Sequence, residues 1–220
     1  MSALAPEGLE ERIAGGLAAL GAPADDRAVA ALAGWLGLHA RWSRAYNLTG
    51  ARDPVTLVEG HLLDAAAVLP LLPPGPIADV GSGAGLPGLV VALLDPERPV
   101  TLVDSLAKRT RFLEEAVRVL GAGNVRVVTA RIELWARDPG SLPAAVLARA
   151  VAPLARLTVL LAPLLRAGVP LLAMKGPGWV EEAAGLDATW AVTAAREYVL
   201  PGDGSTRTLV TVRARGEEEP

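Results

Sequence analysis

Between Ile77 and Asp104 the chain changes character in an order that few folds accommodate. The apolar run Ile77–Val80 leads straight into Gly81-Ser-Gly83-Ala-Gly85-Leu-Pro-Gly88, then an aliphatic stretch to Leu94, then Val100–Val103 and a single acid, Asp104. Short apolar runs bounded by glycine read as buried strands, and the Leu/Val/Ala stretch between them reads as a crossover helix. Glycine lets the backbone approach a ligand where any side chain would collide. An acid at the carboxyl end of the second strand can accept hydrogen bonds from two ribose hydroxyls. These features predict a parallel α/β sheet with a nucleoside-cofactor site at its carboxyl edge.

Two cofactors fit such a loop. Gly83-Ala-Gly85-Leu-Pro-Gly88 matches the dinucleotide fingerprint, in which a pyrophosphate sits on a helix amino terminus. In that fingerprint the first glycine follows the strand directly, whereas here Gly81 already ends the apolar run and the turn begins two residues early. Asp79-Val-Gly81-Ser-Gly83-Ala-Gly85 resembles instead the first motif of class I S-adenosylmethionine-dependent methyltransferases. That resemblance implies that the glycine backbone passes the methionine half of the cofactor and that Asp104 holds its ribose. An NAD(P)-dependent oxidoreductase remains the enzymatic alternative.

The rest of the chain extends the alternation. Strands are expected at Ile77–Val80, Val100–Val103, Val125–Thr129, Ala145–Ala148 and Leu171–Met174, with helices near Leu86–Leu94, Lys108–Leu120, Ile132–Ala136 and Leu154–Arg166. Such an order implies parallel strands joined by right-handed crossovers. Arg196–Leu200 and Thr208–Val212, joined by Pro201-Gly-Asp-Gly204, read as a closing β-hairpin. The fold class is therefore α/β, a mostly parallel seven-stranded sheet with a C-terminal β-hairpin and an N-terminal helical appendage, and the resemblance implies its class I methyltransferase (Rossmann-like) form. The appendage is read over 1–73, with helices over Glu7–Leu20 and Asp26–Tyr46, an Asp53-Pro54 helix start running toward His61, and a further helix from Leu62 to Leu69. Pro73-Pro74-Gly75-Pro76 punctuates the chain before a cofactor-binding catalytic domain over 74–214, and 215–220 is an acidic tail expected to be disordered.

Composition excludes several chemistries. With no cysteine there is no disulfide, no thiolate metal site and no cysteine nucleophile of the kind that pyrimidine-C5 methyl transfer requires. Two histidines, His39 and His61, make a histidine-rich metal centre improbable, and no metal is expected. No uninterrupted apolar run reaches the length of a membrane span, and the amino terminus carries Glu7, Glu10 and Glu11 where a secretory signal would be basic and then apolar. A soluble cytoplasmic monomer without a membrane partner is the expectation. The net charge of −3 disfavours nucleic acid only on average, because residues 98–137 hold eight basic residues against four acidic ones. From charge alone, a basic binding face and a solvated helix face are equally good readings.

Several segments then occur in one order: Tyr46-Asn47-Leu48-Thr49, His61-Leu-Leu-Asp64, the Gly85-Leu-Pro-Gly88 ending of the glycine loop, Leu102-Val-Asp104-Ser-Leu-Ala-Lys108-Arg109, Ala130-Arg131-Ile-Glu133, Ala148-Arg149-Ala150 and Met174-Lys175-Gly176. From about Arg41 to Arg213 the chain resembles the RsmG/GidB family of methyltransferases acting on N7 of a guanine in 16S ribosomal RNA. It departs mildly at Ile132, where valine is common, and at Ala148 and Val151, where serine and phenylalanine are. The resemblance implies S-adenosyl-L-methionine as cofactor and 16S rRNA or the small ribosomal subunit as partner. It implies cofactor contacts from Gly81, Gly83, Gly85, Leu86, Asp104, Ile132, Glu133 and Arg149. RNA contacts are implied from Asn47, His61, Lys108, Arg109, Arg131 and Lys175, with Arg131, Lys175 and Arg149 as catalytic residues.

The chemistry is consistent with those residue types. Guanine N7 carries an in-plane lone pair, so methyl transfer needs alignment and a water-poor pocket rather than a strong base. The Asn/Asp-Pro-Pro-aromatic motif of exocyclic-amine methyltransferases is missing after the fourth strand, where Arg149-Ala-Val-Ala stands. Lys108 and Lys175 are the only lysines among 21 basic residues, both at strand ends or loops on the expected cofactor side. Each site assignment has a plainer counterpart: a helix cap for Asp104, a surface ion pair for Arg131, and for His61 a tie between appendage and domain. A non-catalytic RNA-binding ribosome-assembly factor on the same fold is the third reading.

Overall fold

The computed structural model describes residues 8–22, 24–44 and 53–215. Its sheet has seven strands, β1 (Ile77–Val80), β2 (Val100–Asp104), β3 (Val125–Thr129), β4 (Ala145–Arg149), β5 (Leu171–Lys175), β6 (Trp190–Val199) and β7 (Thr206–Ala214), in the order β3-β2-β1-β4-β5-β7-β6. The first five strands are parallel; β7 runs antiparallel to β5 and to β6. The strand order reverses between β1 and β4, and in such sheets ligands bind in the crevice beyond the carboxyl ends at that point.

Helices cover both faces: α1 (Leu9–Ala19), α2 (Asp26–Ser43), α3 (Pro54–Leu57), α4 (Leu63–Ala67), α5 (Gly88–Leu94), α6 (Ala107–Leu120), α7 (Ile132–Trp135), α8 (Leu154–Leu160), α9 (Ala162–Arg166) and α10 (Trp179–Ala184). Successive strand residues point to opposite faces, and two apolar clusters follow from that alternation. Ile77, Leu102, Leu147 and Leu172 join α1, α2, α4, α5 and α6 in one cluster, whereas Ala78, Val80, Val146 and Ala173 join α8, α9 and Trp190 in the other. The amino-terminal helices thus share one core with the helices that cover the sheet. Trp35 of α2 makes this concrete: fully buried, it donates its indole N–H to the carbonyl of Ala84 in the glycine loop at 2.9 Å.

Local signals account for the helix starts. Asp25 and Asp53 each accept a backbone N–H three residues on, from Ala28 and Thr56 at 2.8 Å, as capping acids do. Four expectations needed correction. The helix read as Leu154–Arg166 is two helices, α8 and α9, because Pro163 has no N–H to return to the carbonyl of Val159. The helix running from Pro54 toward His61 passes into one π-turn, Val58–Leu62, before α4, and α4 stops at Ala67, before a 3₁₀ turn over Leu69–Leu71. The hairpin is longer than expected, starting at Trp190 and ending at Ala214, because pairing with β7 recruits the alanine-rich start of β6 whose local preference is weak. Helix α10 went unanticipated.

Pro54–Leu71 is the one helical stretch among the described residues long and apolar enough to cross a membrane by length and composition. Half of it is buried inside the protein, and it carries a buried acid, Asp64, paired with Arg149. It packs as a core segment.

Candidate active site at the carboxyl edge of the sheet

The glycine loop is held from below by its own strand ends. Gly81 and Ser82 both donate their N–H to the carbonyl of Val103, at 2.7 and 3.1 Å. The buried Ser82 hydroxyl donates to the carbonyl of Asp79 and accepts the N–H of Val103. Glycine is required at two positions for different reasons. At Gly81, with φ of 70°, an added Cβ would lie 2.6 Å from Val151; at Gly88 it would lie 2.4 Å from Leu102 and 2.6 Å from Asp79. Side chains at these positions would fill the cradle or push α5 off the sheet.

Asp79 sits under that cradle with no solvent exposure. One carboxylate oxygen accepts the N–H of Gly88 at 2.9 Å; the other has no hydrogen-bond partner among the described residues. Burial pushes its carboxyl up to about 7, since a charge without a full hydrogen-bond shell is costly away from water. Asp104, almost fully buried, accepts the N–H of Gly83 at 3.0 Å and that of Leu106 at 2.9 Å, with the Arg109 guanidinium at 3.4 Å. The acid therefore ties the loop to the start of α6.

Beyond these residues lies a cavity of about 290 Å³ lined by Gly81, Asp104, Ser105, Arg109, Arg131, Ile132, Glu133, Ala150, Val151, Arg156 and Leu160. Six of the sequence-expected residues line it: Gly81, Asp104, Arg109, Arg131, Ile132 and Glu133. Exposed Arg131 pairs with Glu133 at 2.9 Å. The Glu133 carboxyl is held below the usual carboxylate range by its own backbone N–H, with Arg131 adding to the effect. Gly83 and Gly85 shape the loop at positive φ, and Leu86 is buried behind it in the helix-side core.

The others lie elsewhere. Lys108 is exposed in the first turn of α6 and does not line the cavity. Lys175, at the end of β5, donates to the carbonyl of Ala152 at 3.0 Å and pairs with Glu182 at 2.6 Å. Arg149 turns toward the amino-terminal helices, donating to the carbonyl of His61 at 3.0 Å and to its Nδ1 at 2.5 Å, and facing Asp64 at 3.2 Å. His61 is thus brought to Arg149, and burial, then the Arg149 charge, hold its pKa below the ordinary value. Asn47 lies outside the described residues.

Sequence reasoning missed Arg156, Leu160, Ser105 and the bearing of Trp35 on the loop. Arg156 and Leu160 share one face of α8 by their i, i+4 spacing, but nothing in the sequence says which face of that helix meets the cavity.

The fold resembles solved structures at low identity. A ribosomal protein L11 methylase from Lactobacillus delbrueckii subsp. bulgaricus matches with TM-score 0.52 at 15% identity, covering 76% of this chain and 81% of that one. A mutant of MtNAS, solved in complex with S-adenosylmethionine, matches with TM-score 0.53 at 15% identity, covering 81% of this chain and 72% of the other. Sequence relatives are much nearer. Ribosomal RNA small subunit methyltransferase G of Halorhodospira halophila is 51% identical over 178 residues, covering 81% of this chain and 82% of the relative. That of Chromohalobacter salexigens is 42% identical over 205 residues, covering 93% and 97%. The family described as rRNA small subunit methyltransferase G, or GidB, matches residues 29–210. With that match spanning the glycine loop, the cavity and most of the hairpin, the chain belongs to the rRNA small subunit methyltransferase G family.

Proposed function

We propose that this protein transfers the methyl group of S-adenosylmethionine to N7 of a guanine in 16S ribosomal RNA near the decoding region. The observation that carries the reading is the cavity itself, set between the glycine loop and Asp104 at the switch point of the sheet in a member of this family. When bound, the cofactor supplies an electrophilic sulfonium methyl.

The residues present fit such a ligand. Gly81 presents bare backbone to the cavity, and the loop's Ser82, Ala84 and Leu86 side chains are buried in the protein, which leaves room for the methionine half. Asp104 faces the cavity with a carboxylate that offers about four acceptor sites; two backbone N–H groups and a long Arg109 contact occupy three. The fourth, and the weakly held third, are available to ribose hydroxyls. Ile132 and Glu133 provide an apolar surface and an acceptor for the adenine end.

Nothing in the cavity needs to act as a strong base, because guanine N7 attacks through a lone pair that carries no proton. The protein's task is alignment and exclusion of water. Arg109, Arg131 and Arg156 rim the cavity against two acids, Asp104 and Glu133, leaving one excess positive charge toward an RNA phosphate. Lys108, exposed beside Arg109 in the first turn of α6, adds a cation outside the cavity. The substrate implies a cytoplasmic protein. An oxidoreductase reading loses its footing in this family and in a sheet that closes with an antiparallel hairpin.

Labelled methyl from S-adenosylmethionine should appear in N7-methylguanine of 16S rRNA isolated from a strain lacking the gene, and not in rRNA already modified. Transfer to neither free rRNA nor small subunits would sink the proposal, and RNA binding without cofactor affinity would favour a non-catalytic assembly factor.

A further inference from the structure

Arg149 is a strand-end cation whose side chain points away from the cavity its backbone borders. Its guanidinium is taken on every edge: Nε faces Asp64, one terminal nitrogen donates to the carbonyl of His61, and the other to His61 Nδ1. Guanidinium has no acceptor, so Nδ1 must accept, and His61 carries its proton on Nε2. Asp64 is 5% exposed, and its second oxygen accepts the Tyr198 hydroxyl of β6 at 2.8 Å. Taking two ions out of water is costly before their mutual attraction is counted. A bare positive charge would need none of this, whereas a rigid fork held in one plane needs all of it.

Directly after Arg149 the chain enters a strained turn. Ala150 has a φ of 53°, a left-handed conformation that is strained for a residue with a Cβ and is kept only when the surroundings over-determine it. Ala150 and Val151 both line the cavity, and Val151 packs where a Cβ on Gly81 would stand. Downstream, Lys175 grips the carbonyl of Ala152, while Glu182, its ion-pair partner, accepts the N–H of Leu154. The turn is clamped at both ends.

We propose that Asp64 and Tyr198 are positioning residues which, through Arg149, hold the left-handed turn at Ala150 and Val151 against Gly81 and so keep the cofactor cavity preformed. The inference rests on the reading that this cavity takes S-adenosylmethionine. It joins α4, β4 and β6 into the wall of one site through the Asp64–Arg149 pair and the Asp64–Tyr198 pair, the latter 134 residues apart.

The test is a double-mutant cycle read by calorimetric titration with S-adenosylhomocysteine. Tyr198→Phe in the otherwise unaltered protein should weaken binding about 5- to 20-fold, whereas in an Arg149→Lys background it should change affinity by less than about twofold. Unaltered affinity in Tyr198→Phe, or equal weakening in both backgrounds, overturns the proposal. A second readout needs neither ligand nor the Arg149 variant: amide hydrogen exchange at Gly81 and Ser82, whose N–H groups bond the carbonyl of Val103 and against which the turn packs through Val151, should speed up in Tyr198→Phe while that of β3 stays as it was. Unchanged exchange at Gly81 and Ser82 also overturns it. If the unaltered protein binds no S-adenosylhomocysteine, the cofactor reading fails, and the exchange measurement still decides the positioning role.

Discussion

Replacing Asp79 with Asn isolates a carboxyl that is buried without a full set of partners. The Asp79 carboxyl titrates near 3.8 ordinarily and at about 7 in the folded protein, burial being the chief cause. Between those values the folded state keeps a proton that the unfolded chain releases. The stability contributed by the raised pKa is present below pH 3.8 and lost as pH rises through 7, a loss of roughly 3–4 kcal/mol. In Asp79→Asn the Gly88 N–H still meets an oxygen, but an amide NH₂ takes the position of the unpartnered carboxylate oxygen, costing about 1–3 kcal/mol. That cost is the same at every pH and cancels in a difference. His39, whose pKa burial pushes down to about 4, acts in the opposite sense: its share of stability is present above its ordinary 6.5 and lost as pH falls. Being common to both proteins, it cancels too. Urea unfolding of the ligand-free proteins should therefore show the Asn variant gaining on the parent by about 3–4 kcal/mol between pH 4 and pH 8. Parallel stability curves over that range would refute the claim that Asp79 is folded against an uncompensated charge.

Other outcomes follow from the same geometry. Arg156→Ala should reduce the slope of log affinity for rRNA against log salt by about 0.7–0.9, the share of one phosphate contact, and an unchanged slope would place Arg156 off the RNA path. Trp35→Phe leaves the buried Ala84 carbonyl without its donor and should cost about 1–3 kcal/mol in urea unfolding; a smaller loss would mean that the indole bond does not hold the loop. Arg131→Ala, at an exposed side chain, should cut methyl transfer at least tenfold with melting temperature within about 2 °C of the parent. Lys175→Ala releases Glu182 and the carbonyl of Ala152 together, so thermal scans should show a clear drop alongside the lost transfer.

Much of the sheet could be read locally because four of the five parallel strands are short, mostly apolar runs that end up buried, the half-exposed edge strand β3 being the exception, and each crossover begins or ends near glycine or proline. The glycine loop was legible for the same reason: positions such as Gly81 and Gly88 are dictated by backbone approach, which only one residue type satisfies. Asp104 at a strand end and Arg131 with Glu133 at a helix start were legible as chemistry next to punctuation. The break at Pro163 could have been read from its missing N–H; the π-turn at Val58–Leu62 could not, because no residue type demands one.

Long-range partners were not legible. A sequence says that Arg149 is a cation after a strand, but whether it reaches a ligand or turns back to His61 and Asp64 depends on which helix packs beside β4. Lys175 is likewise a strand-end lysine until α10 brings Glu182 to it. Arg156 became part of the cavity only once α8 had presented one face to the sheet, and Trp35 touched the loop only because the amino-terminal helices share its core. Residue type and spacing on their own determined the sheet, the cradle and the family pattern, since these rest on backbone sterics and periodic burial. Tertiary packing decided which cations face the ligand and which hold the wall, since ion pairs form between whatever side chains the core's closure leaves within reach.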